Sequence, residues 1–180
     1  MYVLEPFSFQ DLKWAVAVNF IIKNETRWDL LDPISHCDRG HSQIPPTTIR
    51  SGMEGGFLVR SKMMNLWGST GTAAWSVGSQ PWRVVIGWEA PRNFALSGRN
   101  NRLAVGIISA DAQLPEFGDI TDRATGAMFK SLEYINNTSM VSYTNPDRTV
   151  CVAGVMSTGH KAEVRVFIKH PERYNNNLNI

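Results

Sequence analysis

The chain is expected to fold as a mainly β protein, a β-sandwich with one or two flanking helices. Three observations carry this. Short apolar segments of strand length recur along the chain, with Gly and Pro signals between most of them. Two of these, residues 82–88 and 103–107, are almost continuously apolar, as strands buried inside a packed sheet are. A single helical stripe, Met128, Leu132 and Ile135, marks one helix that lies on a sheet.

Taken in order, residues 14–22 alternate partly and predict a buried strand, and 28–31 a short second one. Residues 32–48 read as loop, because Pro33, Gly40, Pro45 and Pro46 interrupt them. Strands are predicted over 56–61, 72–77, 82–88 and 103–109. The link between the last two is polar, with Pro91, Phe94 and Leu96 at its tip. An exposed loop carrying a Pro and a large aromatic makes a docking surface. The stripe predicts a helix over 125–136 with Asp122 before it as N-cap; Phe129 and Glu133 fall on one flank and Tyr134 on the other, toward the surface. Residues 151–156 and 162–168 are expected to pair across the turn Ser157-Thr158-Gly159. Val164, Val166 and Ile168 take one face of the last strand, with Glu163 and Arg165 on the other. The whole chain, 1–180, is expected to form one domain: an N-terminal segment 1–13, a sandwich core 14–170 and a polar tail 171–180.

A net charge of +2 argues against a general electrostatic grip on nucleic acid, so no nucleic-acid partner is expected. No apolar run reaches the ~20 residues that span a bilayer. A basic leader with an uninterrupted apolar segment is also missing, so a mature secreted form or a cytosolic one is expected. Cys37 and Cys151 lie far apart in sequence, and one pair is not a disulfide framework. Asn24-Glu25-Thr26 and Asn136-Asn137-Thr138 match the glycosylation sequon, a triplet common by chance. Trp75, Trp82 and Trp88 sit on strands and read as core rather than as a ligand cage.

His36, Cys37, Asp38 and His41 are metal-ligating types close in sequence. They lack a second pair at finger spacing, so no metal and no cofactor is expected. The Gly-rich stretches 52–56 and 68–71 are not followed by Gly-Lys-Ser/Thr, which argues against a phosphate loop. Ser, His and Asp occur without a nucleophile elbow. A binding protein, not an enzyme, is the expectation.

Several segments then fall in the order of a known family. They are Asn24-Glu25-Thr26 with Trp28, Gly40 followed by Ile44-Pro45, and Ser69-Thr70-Gly71-Thr72. Next come Ala90-Pro91 with Phe94, Leu103-Ala104-Val105-Gly106-Ile107, and Met128-Phe129 with Leu132 and Tyr134. Met156-Ser157-Thr158-Gly159-His160 and the last strand close the set. From about Val16 to Ile168 the chain resembles the actinoporins and their actinoporin-like relatives, small cytolysins of the sea-anemone type.

The resemblance implies a β-sandwich flanked by helices that binds sphingomyelin-containing membranes through an aromatic cluster and a phosphocholine pocket. It also implies an N-terminal amphipathic helix that enters the bilayer and lines a cation-permeable homo-oligomeric pore. Aromatic faces hold a quaternary ammonium, and Trp and Tyr favour the membrane interface. Pro91 stands at the family's pocket proline, and Phe129 and Tyr134 at two of its pocket tyrosines. Glu133 and Ser97 stand where further tyrosines would be. Glu89 replaces a small serine, an acid that can face a choline cation. The family's docking tryptophans fall at Leu96, Asn100 and Asn101. Arg92, Arg99 and Arg102 crowd the same loop, which favours anionic head groups or sugars. The expected site is therefore Glu89, Pro91, Phe94, Leu96, Ser97, Phe129, Glu133 and Tyr134.

The family's first strand follows a helix of about twenty residues or more, whereas residues 1–13 precede it here, with Pro6 among them. Thirteen helical residues reach about 20 Å at ~1.5 Å each, short of a ~30 Å hydrocarbon core. A shorter lever, a longer precursor and binding without perforation all stay open. The expected function is a secreted, membrane-binding, cytolysin-like protein that recognises phosphocholine or sphingomyelin head groups at target-cell membranes. The alternative is a lectin-like, carbohydrate-binding β-sandwich without pore activity, which rests on fold analogy.

Overall fold

The structure is a computed structural model, and it describes residues 16–61, 68–93, 98–121, 129–134 and 139–171. The strands are β1 Ala17–Glu25, β2 Leu30–Arg39, β3 His41–Ile44, β4 Glu54–Arg60, β5 Ser69–Val77, β6 Trp82–Ala90, β7 Asn101–Ser109, β8 Phe129–Tyr134, β9 Val141–Thr144, β10 Cys151–Met156 and β11 Lys161–Lys169. One helix, α1, covers Phe117–Thr121. The strands form two sheets, ordered β3-β4-β1-β11-β10-β9 (the first sheet) and β2-β5-β6-β7-β8 (the second). The fold is thus the expected β-sandwich.

Alternation builds the core. Phe20, Ile22, Phe57, Val59, Val164 and Val166 point inward from the first sheet, and Trp75, Val84, Ile86, Trp88, Leu103 and Val105 meet them from the second. Phe20 and Phe57 stack with centroids 4.0 Å apart, and Trp88 meets both edge-on at 5.1 and 5.7 Å. The buried indoles are satisfied: Trp88 Nε1 donates to Ser69 Oγ, and Trp75 Nε1 donates to the Thr47 carbonyl. Trp75 and Trp88 are core residues, as expected, and Trp82 packs half-buried against the same core.

A second, smaller cluster covers the outer face of the second sheet. Ala74, Val85, Ala104 and Ile108 project outward and are capped by Phe117 and Ile120 of α1. Gly87 makes the close approach possible, because a Cβ there would lie 2.9 Å from the Phe117 ring. Among the described residues no helix is long and apolar enough to cross a membrane.

Two expectations are corrected. The stretch 32–48 is not loop: it carries most of β2 and all of β3. Pro33 is tolerated because β2 is an edge strand and irregular there, with a register shift between Leu31 and Ile34. Gly40, at φ 92°, turns the chain from the second sheet into the first. The helix over 125–136 is not formed either, since residues 129–134 are β8, antiparallel to β7 from Gly106↔Phe129 to Asn101↔Tyr134. The open edge of β7 offers a row of backbone hydrogen bonds, and these outweigh a three-residue apolar stripe. Residues 122–128 and 135–138, including Met128 and Ile135, lie outside the described residues.

The first sequon is structural. Asn24 is fully buried, and its Nδ2 donates to the carbonyls of Trp28 (2.7 Å) and Ile49 (3.1 Å). Its Oδ1 accepts from the backbone N–H and hydroxyl of Thr26. The triplet therefore locks the β1–β2 crossover.

Candidate functional site

The end of the sandwich that carries the β6–β7 connection gathers part of the expected site. Odd-numbered residues of β6 from Arg83 to Glu89 face outward, as do even-numbered residues of β7, so Glu89 and Arg102 stand side by side on the second sheet's outer face. Register extends the row in both directions: Arg39↔Thr70, Thr70↔Glu89, Glu89↔Arg102, Arg102↔Glu133. It is a polar belt at the end of a face otherwise covered by α1.

Glu89 is 7% exposed, and its carboxylate sits between two guanidinium groups, Arg99 Nη1 at 3.6 Å and Arg102 Nη1 at 3.8 Å. Both are separations of ion pairs rather than of good hydrogen bonds. Arg102 lies mostly within the surface, its guanidinium 5.9 Å from the Phe117 ring centre. The Thr70 hydroxyl and Glu89 Oε2 are buried, and neither makes a hydrogen bond among the described residues. Glu133, at the exposed end of the row, accepts two hydrogen bonds from Asn100. These bonds hold its carboxyl below the usual carboxylate range, with smaller help from the charges of Arg102 and Arg99.

Pro91 is buried, two residues beyond Glu89 in the chain. Gly68, at φ 88°, packs its backbone against this point, where a Cβ would run into the Ala90 carbonyl and lie 2.9 Å from Pro91 Cα. Pro91 is therefore part of a tightly packed start to the β6–β7 connection, and Arg92 next to it is half-buried.

The remaining expected residues separate. Tyr134 is 1% exposed and points into the sandwich core, not to the surface. Its hydroxyl lies 3.1 Å from the Ser139 carbonyl and 3.3 Å from that of Gly154, and burial pushes its pKa up. Strand geometry is the reason: alternation puts Tyr134 and Glu133 on opposite faces of β8. Phe129 faces outward but packs beside α1, four residues from Glu133 along the strand, about 13 Å at ~3.3 Å per residue. A cation cage made by Phe129 and Tyr134 together is thus not formed. Phe94, Leu96 and Ser97 lie outside the described residues. Of the positions matched to docking tryptophans, Asn101 is buried, its Nδ2 donating to the Ser157 and Gly159 carbonyls.

The His36–His41 stretch does not converge either. His36 pairs with Asp38 at 3.3 Å, Cys37 opposes Gly71 toward the core, and His41 Nε2 accepts from Arg60 Nε. Cys37 and Cys151 are free thiols on different sheets.

No protein-family model matches the chain, and no curated protein matches it. Its fold is similar to solved structures. One is the lipid binding protein Nakanori, with a TM-score of 0.64 and 17% identity over 86% of this chain and 71% of that one. Another is RahU protein, solved in complex with a TRIS molecule, with a TM-score of 0.51 and 10% identity over 89% of this chain and 98% of that one. These likenesses concern the fold, an actinoporin-like β-sandwich.

Thr70 was read from sequence only as part of the Ser69–Thr72 segment and not as a site residue. Its role as a buried outward hydroxyl depends on its register opposite Glu89. Arg102 reads from sequence as one of three arginines crowding the β6–β7 loop, yet it lies on β7 as the half-buried centre of the belt. The step from Arg102 outward to Leu103 inward is the one local sign of its orientation.

Proposed function

We propose that this protein binds membranes by recognising a lipid head group at the end of the sandwich that carries Glu89, Arg99, Arg102 and Glu133. The observation that carries the reading is the likeness in fold to the lipid binding protein Nakanori along most of the chain. The polar belt supports it, because it sets charged and hydrogen-bonding groups together on one sheet face at the β6–β7 connection. A secreted protein acting at the outer leaflet of a target membrane, and a binding protein rather than an enzyme, complete the proposal.

The finer reading is phosphocholine or sphingomyelin recognition with assembly into a cation-permeable pore. In this chain any choline would have to be met by Glu89 without the paired rings of Phe129 and Tyr134. The test is co-sedimentation with phosphatidylcholine vesicles with and without sphingomyelin, read together with release of a trapped dye. Sphingomyelin-dependent release supports the full cytolysin reading. Binding without release keeps lipid recognition and removes the pore. Loss of both sinks the membrane reading.

A further inference from the structure

Resting on the lipid reading, we propose that the head group is a sugar: a neutral, hydroxyl-rich ring that docks on the Thr70–Glu89–Arg102 row of the second sheet. The row holds two buried polar groups that lack a hydrogen bond among the described residues. Thr70 is 8% exposed and Glu89 7%, and the Thr70 hydroxyl and Glu89 Oε2 make no hydrogen bond among the described residues. Buried polar atoms of a folded protein are normally partnered. Two such atoms on adjacent strands, opposite each other in register, mark a place where a ligand's groups complete the bonding.

The charges decide which ligand. Glu89 already has a guanidinium on either side, at 3.6 and 3.8 Å. A choline or ammonium group brought to that carboxylate would meet two like charges nearly as close as the opposite one. Choline, in addition, has no N–H or O–H to give Glu89 Oε2. A phosphate drawn to Arg99 or Arg102 would face the carboxylates of Glu89 and Glu133 in the same row. A neutral polyol meets neither penalty. Its hydroxyls donate to Glu89 Oε2, accept from the arginine N–H groups, and either give to or take from Thr70. Glu89 Oε2 and the Thr70 hydroxyl are closed to solvent, so the sugar reaches the row by displacing the half-exposed Arg99 guanidinium.

The same chemistry can come from a glycolipid or a soluble glycan, so the experiment separates them. Co-sedimentation is measured with phosphatidylcholine vesicles carrying ceramide, sphingomyelin, galactosylceramide, glucosylceramide or lactosylceramide, alongside a surface of immobilised glycans. The expected result is binding to at least one glycosylceramide, none to ceramide, and displacement by the matching free sugar. Thr70→Val and Glu89→Gln should each weaken that binding, by about tenfold or more for a lost hydrogen bond to a buried partner. Thr70→Val should melt no lower than the parent, since it removes an unsatisfied buried hydroxyl.

Binding to sphingomyelin alone overturns the sugar and leaves the lipid reading standing. Binding to immobilised glycans with none to vesicles keeps the sugar site and overturns the lipid reading. Equal binding to ceramide, binding to nothing, or glycolipid binding untouched by both substitutions each overturns the inference.

Discussion

Asn100 holds Glu133 twice: its backbone N–H, at 2.8 Å, and its side-chain amide, at 3.1 Å, both donate to Glu133 Oε1. The bond ties the end of the β6–β7 connection to the edge strand β8 and sets the rim of the polar belt. Because these bonds hold the Glu133 carboxyl below its usual 4.5, the grip is complete above that value and is lost as pH falls through the folded-state pKa. Protection of the Asn100 amide against hydrogen exchange, relative to the intrinsic rate at each pH, should fall as pH drops below 4.5, and Glu133→Ala should lack that protection above it. An Asn100 amide that stays equally protected in the variant would show that the loop is held by other means.

Tyr134 should behave as a core residue. Tyr134→Phe forfeits the hydroxyl's bonds and is expected to cost about 1 kcal/mol in urea unfolding, with vesicle binding unchanged. Tyr134→Ala opens a cavity under β8 and should cost ~3–5 kcal/mol. Weaker lipid binding by the Phe variant at unchanged stability would return Tyr134 to the site.

Asn24 makes a third test. Asn24→Ala strands the Trp28 and Ile49 carbonyls at the β1–β2 crossover and should lower stability by about 2–3 kcal/mol. The folded protein has no room for a glycan on Asn24, because the side chain is enclosed and its amide already donates twice, so a chain modified there should fail to fold. Mass spectrometry of the natively folded fraction from a glycosylating host decides it, and an occupied Asn24 in that fraction would contradict the enclosure.

The two thiols lie on different sheets, so the thermal midpoint should not change on adding a reductant. Burial, with the Asp38 charge adding to it, pushes the Cys37 thiol up and lowers its thiolate fraction near pH 8. Slow labelling by a thiol reagent in native buffer and fast labelling in urea is the expected pattern. Rapid native labelling of Cys37 would contradict the burial.

What was legible in the sequence was what alternation and apolar runs encode. β6, β7 and β11 are each legible to within a residue or two, because their inward faces are mostly Val, Ile, Leu and Trp at period two, and β10 is legible as a short apolar run before a turn. β2 was hidden by Pro33, which an interior strand would not accept and an irregular edge strand does. β8 was hidden by ambiguity: Leu132 belongs to a helical stripe with Met128 and to a strand alternation with Tyr134, and only the waiting edge of β7 chooses between them. Glu89 was singled out only through the family resemblance, as an acid in place of a small serine. Its partners could not be read as such, since Thr70 and Arg102 meet it through inter-strand register, and the long β6–β7 connection does not dictate that register.

β1 lies in the middle of its sheet, hydrogen-bonded to β4 on one side and, in parallel, to β11 on the other. During synthesis the strand made early must therefore wait for one made more than a hundred residues later. Until Lys161–Lys169 has left the ribosome, the Phe20–Phe57 stack has only part of its sheet around it and an unpaired β1 edge beside it. Such a chain should close its first sheet only once β11 has emerged, slowly for its size and with a need for chaperone protection in the interval.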